Sequence, residues 1–176
     1  MLYLKKILLS LICLIYLTSN LFAENKVAYI DLDKILVSTD SGKALFKQLN
    51  NLEKLELENL KNEEKAFKEE ENKILSTKNL LTQDEYTKKV NVFKKKISVY
   101  QNKKKAIIDG LQKKRNTEVV RFLKMTNPLI ESIMESNSID ILIEKKNVFI
   151  AKSNTDITNV VIDEINKKIK NFKIKK

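Results

Sequence analysis

Ser76-Thr77-Lys78-Asn79-Leu80-Leu81-Thr82-Gln83-Asp84-Glu85 is where a very long helical pattern turns back on itself. On either side, from residue 42 to residue 127, Leu, Ile, Val, Phe or Tyr recur every three or four positions among Lys, Glu and Asn. That spacing predicts helix, and after Gly42 the stretch holds one glycine, Gly110, and no proline. Residues 76–79 dilute the apolar pattern. Thr82, with Glu85 three residues on, then has the form of a capping box, in which two side chains satisfy free backbone N–H groups of a new helix. One helix ends, a second begins, and the reading is a helical hairpin.

Each helix has about 40 residues, so at roughly 1.5 Å per residue the hairpin reaches on the order of 60 Å. A globule of 176 residues is narrower than that, so the hairpin must project from a smaller body. The returning helix carries Tyr86, Val90, Phe93, Ile97, Tyr100, Lys104, Ile107 and Leu111 at alternating spacings of four and three, which is a heptad stripe. The rising helix is weaker. Leu60, Phe67, Ile74 and Leu81 repeat every seven, but the slots three before them hold Leu57, Glu64, Glu71 and Lys78. A seam half polar on one side buries little, so the distal arm is expected to bend and fray more readily than its root.

Working outward, Lys26-Val27-Ala28-Tyr29-Ile30-Asp31-Leu32 reads as a central strand, apolar on both faces. Asp33 can cap a short helical turn over 34–38, and Thr39-Asp40-Ser41-Gly42 breaks it. Past the arm, Asn127-Pro128 suggests a cap and first-turn proline for a new segment rich in Leu129, Ile130, Ile133 and Met134. Ile139-Asp140-Ile141-Leu142-Ile143-Glu144 and Val148-Phe149-Ile150-Ala151, joined by Lys145-Lys146-Asn147, read as a β-hairpin. After caps at 154–158, Val161, Ile162, Ile165, Ile169 and Phe172 share one face of a last helix, and a basic tail frays beyond it.

Residues 1–23 have the form of a secretory signal: Lys5 and Lys6, an apolar run over 7–17, and Ala23 before the cut. The mature chain then holds no cysteine and no histidine, since Cys13 lies inside the signal. That removes disulfides, thiol chemistry, histidine bases and most transition-metal sites, and no enzymatic activity, cofactor or metal is expected. The expected body, 24–44 with 124–176, and arm, 45–123 with its tip near 76–82, leave a core of about 60 residues, a size at which a domain is marginal alone. Val27, Tyr29, Ile30, Ile141, Ile143, Val148, Ile150 and Ile165 are its expected core and oligomer contacts, since open sheet edges invite pairing with copies of the chain.

Charge is unevenly spread. Without Lys5 and Lys6 the chain keeps 32 basic and 23 acidic side chains; residues 43–81 carry eight of each sign, while residues 82–127 carry 13 basic and 4 acidic. The excess of the returning helix lies in runs: Lys88-Lys89, Lys94-Lys95-Lys96, Lys103-Lys104-Lys105 and Lys113-Lys114-Arg115. These are expected to wrap the solvent side of the stripe and attract anionic chains or lipid head groups, with Lys88, Lys89, Lys94, Lys95, Lys96, Lys103, Lys105, Lys113, Lys114 and Arg115 as the candidate contacts.

The order of elements and the wording of 26–31, 139–143, 148–151 and Asp156-Ile157-Thr158 before the last helix resemble the Skp, or OmpH-like, periplasmic chaperones. The resemblance implies a homotrimer in the periplasm whose strands form a small central barrel, with three coiled-coil hairpins around a cavity. The fold class expected is α+β, mostly α. Members of that family bind unfolded outer-membrane β-barrel proteins and prevent their aggregation without ATP; the arm lysines would steer acidic clients and lipopolysaccharide or anionic lipid. The alternative is a coiled-coil structural or tethering protein of the cell envelope. Nucleic acid is not an expected physiological partner, because the lysine runs lack the arginine and aromatic interleaving of a base-stacking platform.

Overall fold

The computed structural model describes residues 25–175, and Tyr3 ahead of them; the expected signal segment otherwise lies outside the described residues. The order is β1 (Val27–Ile30), α1 (Leu32–Ser38), α2 (Asp40–Ser76), α3 (Gln83–Ser136), β2 (Ile141–Glu144), short 3-10 turns at Lys145–Asn147 and Ser153–Thr155, and α4 (Thr158–Lys168). The chain is thus mostly helical with a small strand pair. β1 and β2 are parallel, with Val27 opposite Ile141 and Ile30 opposite Glu144. Parallel pairing is what the topology demands, because the whole arm serves as the crossover between them.

The turn at the arm's far end forms as its residues dictate. Thr82 Oγ1 accepts from Glu85 N at 3.4 Å, and Glu85 Oε2 accepts from Thr82 N at 3.0 Å. At the other end, α1 is capped by Asp31, whose Oδ1 accepts from Lys34 N at 2.9 Å, and not by Asp33 as expected. Asp31 has the extended backbone a cap needs, whereas Asp33 already lies inside the helix. Thr39 ties α1 to α2: its hydroxyl donates to Ile35 O at 2.8 Å and accepts from Gly42 N at 3.1 Å. Gly42 therefore sits within the first turn of α2 instead of breaking the chain before it.

Three further expectations need correction. The returning helix does not stop at Asn127-Pro128; Pro128 lies inside α3. An interior proline costs about 3 kcal/mol, but Phe122, Thr126, Ile130 and Ile133 are buried on one face on both sides of it, and this shared anchorage keeps the helix in register. The β-hairpin is also absent, because 148–151 forms no strand. The chain leaves β2 in a 3-10 turn fastened by Lys145 Nζ to Asp31 Oδ2 at 2.9 Å, and among the described residues nothing offers the run a ladder partner. Phe149 and Ile150 are 103% and 85% exposed. Finally, the tail does not fray, since Phe172 is buried to 3%.

The core lies where both arm helices meet α1 and α4. Ile35, Leu45, Phe122, Val161 and Ile165 are its fully buried members. Of the expected core residues, Ile30 and Ile165 are in it, Tyr29, Ile143 and Val148 are half-buried, and Val27, Ile141 and Ile150 face outward.

Gly110 tests whether the arm contains a hinge. A Cβ added there meets nothing within 4 Å, so only helix propensity acts, and Gly110→Ala should stabilise the chain by about 1 kcal/mol. Urea unfolding followed by circular dichroism measures this; an unchanged or lowered midpoint would mean that the glycine serves some bending the folded arm requires.

Candidate functional site: the open seam of the arm

Near the body the two long helices close. The last deeply buried pair along the arm is Leu60 and Tyr100, at 3% and 7% exposure. The Tyr100 hydroxyl lies 3.1 Å from Leu60 O and 2.9 Å from Glu64 Oε1, and Lys104 Nζ reaches the same Glu64 oxygen at 2.6 Å. The polar slots of the two heptad stripes thus answer each other, Glu64 on the rising helix and Lys104 on the returning one. Lys104, and then Tyr100, hold the Glu64 carboxyl below its usual range. Burial, and then the neighbouring Glu64 carboxylate, push the Tyr100 phenol up to about 12.

That shift gives a spectroscopic prediction. The neutral phenol is favoured in the folded chain, so its contribution to stability is complete below pH 10 and is lost as pH rises from 10 towards 12. Absorbance titration at alkaline pH should show a late-ionising tyrosine that disappears in Tyr100→Phe. A wild-type titration that ends near pH 10 would show the hydroxyl to be open to water.

Beyond Tyr100 the seam parts. Phe67 bridges it, with ring centroids 6.3 Å from Phe93 and 5.2 Å from Tyr100, the first pair edge to face. With Glu71 in the next polar slot, the helices have no second apolar row to bring them together. The result is a groove of about 990 Å³ along one side of the distal arm. Its floor is Phe67, Ile74, Tyr86, Val90, Phe93 and Ile97, and its rim includes Lys68, Lys94, Lys104 and Lys105 with Glu64, Glu71 and Asp109. A smaller opening of about 430 Å³ lies on the other side, beside Val92 and Val99, rimmed by Lys95, Lys96, Lys103 and Glu63. Floor residues read from sequence as a closed stripe are in fact only half-covered. The glutamates spaced seven apart in the rising helix were the signal for this.

The lysine runs divide into two groups. Lys96 pairs with Glu70 at 2.6 Å, Lys103 with Glu63, and Arg115 with Glu53 at 3.3 Å, so these reach across the seam onto the rising helix instead of wrapping the solvent side. Lys105 pairs with Asp109 on its own helix at 2.7 Å. Lys88, Lys89, Lys94, Lys95 and Lys113 make no salt bridge among the described residues and remain available to a partner. Exposed pairs of this kind contribute at most about 1 kcal/mol each. They set the register of the arm more than its stability.

Lys114 belongs to a cluster that sequence reasoning missed. Glu118, 1% exposed, accepts from Arg121 Nε at 2.7 Å and from Lys175 N at 3.1 Å, with Lys114 Nζ at 3.7 Å. Burial pushes its carboxyl up, but Arg121, the Lys175 N–H and Lys114 outweigh that and hold it below the carboxylate range. The Arg121 guanidinium also stands 4.2 Å over the Phe172 ring and bonds Lys173 O. On the rising helix, Gln48 Nε2 donates to Phe172 O at 2.7 Å, and Gln48 Oε1 accepts from Ile174 N at 3.3 Å. The tail is therefore a strap binding both arm helices at the root. A glutamate four residues before Phe122, on the face about to be buried, was its one sign in the sequence.

Among the described residues no group of three histidine, cysteine, aspartate or glutamate side chains could hold a metal ion, and no helix is long and apolar enough to cross a membrane. The arrangement offers an open apolar surface with a basic rim, placed far from a small body.

Comparison with known proteins bears on that arrangement. No curated protein matches the sequence significantly. Among solved structures, the crystal structure of a proposed OmpH-like outer membrane chaperone from Caulobacter crescentus CB15 superposes with a TM-score of 0.78 at 19% identity, over 86% of this chain and 90% of that one. The family model described as outer membrane protein (OmpH-like) matches residues 26–165. A match over that much of the chain, spanning the strand pair, the arm and α4, means that this protein belongs to the OmpH-like family.

Proposed function

We propose that this protein is an ATP-independent holdase chaperone of the periplasm, which binds unfolded outer-membrane β-barrel proteins and keeps them from aggregating on their way to the outer membrane. The observation that carries the reading is the open groove of the distal arm, an apolar floor bordered by lysines on a projecting hairpin. A holdase needs many weak, adaptable contacts so that diverse clients can be both held and released. A half-closed seam supplies them. Membership of the family and likeness to a proposed outer membrane chaperone support the same reading, as does the signal read in residues 1–23.

The working unit in this reading is a homotrimer. The single chain leaves Val27, Ile141, Phe149 and Ile150 exposed around a two-stranded sheet, and such a sheet with an apolar surface gains stability by pairing with copies of itself. Lys88, Lys89, Lys94, Lys95 and Lys113 would then steer acidic clients, lipopolysaccharide or anionic lipid towards the arms.

The test is light scattering with sedimentation. The mature protein from Glu24 onward, without ATP, should suppress aggregation of a barrel protein diluted from urea, with one client per trimer. A trimer that leaves scattering unchanged would refute the holdase and favour an envelope spacer. A monomer, with Phe149→Asp sedimenting as the wild type does, would refute the assembly.

A further inference from the structure

The dimensions of the groove select the shape of what fills it. Its lining on the returning helix covers residues 86–109, which at about 1.5 Å per residue is on the order of 35 Å. Spread over that length, a volume of about 990 Å³ leaves a channel roughly 5 Å across, too narrow for a helix about 10–12 Å in diameter. It is wide enough for one row of side chains. An extended chain rises about 3.4 Å per residue, so roughly ten residues span the groove, with every second side chain on one face.

Both numbers describe a transmembrane β-strand. Such strands are about 9–11 residues long and alternate apolar with polar side chains. We infer that each arm groove takes one such strand in extended form, its apolar row laid over Phe67, Val90, Phe93 and Ile97 and its polar row left towards solvent. The inference rests on the holdase reading and deepens it: the unit recognised is a single strand, bound within one arm. Charge fits the same occupant. Lys104 is matched by Glu64 and Lys105 by Asp109 at the rim, while Lys68 and Lys94 make no salt bridge among the described residues. Against them stands Glu71 alone, so the rim has a positive surplus for acidic side chains of the polar row.

The probe is a fluorescently labelled synthetic ten-residue peptide alternating Val, Tyr or Phe with Thr, Ser or Asp, compared with a peptide of the same composition whose apolar residues recur at helical spacing. Anisotropy titration with the mature protein should give one alternating peptide per protomer, bound at least tenfold tighter than the control. Val90→Asp, on the floor, should weaken that binding tenfold or more, whereas Val99→Asp, beside the opposite opening, should change it less than twofold. A photoreactive group at the centre of the peptide should crosslink within 90–97 or at Phe67 in the unmutated protein, a readout independent of how well the variants fold. If both peptides bind equally, or crosslinks fall outside the groove, while aggregation of the full barrel client is still suppressed, the strand-sized site is wrong and the holdase stands. If neither peptide binds and aggregation proceeds, both fail together.

Discussion

Gly42→Ala unfolds the body of the protein, although alanine is the better helix former. Gly42 lies in the first turn of α2, directly against the end of α1. A Cβ there would fall 2.0 Å from Leu36 O, 2.7 Å from Thr39 Oγ1 and 2.9 Å from Leu36 C. Two of those atoms are backbone, so no side chain can swing aside; α1 itself must move. Thr39 would lose its paired bonds to Ile35 and Gly42, and fully buried Ile35 would be levered from the core. Propensity favours alanine by about 1 kcal/mol, while overpacking against fixed backbone opposes it by about 3 kcal/mol or more. The steric effect wins, and the net loss is a large part of what a body this small can hold. Urea unfolding monitored by circular dichroism should show the midpoint fall sharply, in contrast to the rise expected for Gly110→Ala. A midpoint equal to wild type would mean that α1 and α2 do not meet as closely as the structure has them.

Phe122→Ala has the second large effect. Its ring is fully buried and stands 5.7 Å from that of Phe172, edge to face. Truncating a buried phenylalanine removes its transfer energy and leaves a cavity, together about 3–5 kcal/mol. Here the loss spreads in an identifiable direction. Phe172 loses its neighbour, so the strap over Gln48, Glu118 and Arg121 should loosen before α4 does. Hydrogen exchange should therefore rise first at residues 172–175 and next at 114–122, with the distal arm unchanged. Equal acceleration across the whole arm would refute the strap as a separate piece of the root. Phe67→Ala is the control, because that ring is only half-buried between open grooves.

The comparison of sequence with structure divides by the range of the interactions involved. The turn at 76–85 was legible because a capping box is local: Thr82 and Glu85 need only each other. The heptad stripe on the returning helix was legible for the same reason, as was the first strand. What failed depended on partners distant in sequence. Pro128 reads as a helix start until the burial of Thr126 and Ile130 against the body is known. Val148-Phe149-Ile150-Ala151 has every local mark of a strand and no ladder within the chain to join. The tail reads as basic and loose because its anchors, Gln48 and Glu118, lie more than fifty residues away. The lysine runs, located as a surplus of charge, could not be sorted into those that reach across to the rising helix and those left outward, because that depends on how far the helices stand apart. The groove itself was half legible, in the glutamates that interrupt the rising seam.

The parallel pairing of β1 with β2 has a consequence for how the chain comes together. Val27 meets Ile141, and closing so long a loop from a random coil carries an entropic cost that slows folding. The capping box at Thr82 shortens that search. Helices nucleated at the turn grow downward past each other on the microsecond scale, and as the arm zips from tip to root it delivers the two strands to one place. Tyr100, Leu60 and the cross-helix pairs at Glu64 and Glu53 are way-stations on that path. The arm would thus be the first part of the molecule to acquire order and the body the last, so damage at the tip should appear as slow refolding long before it appears as lost equilibrium stability.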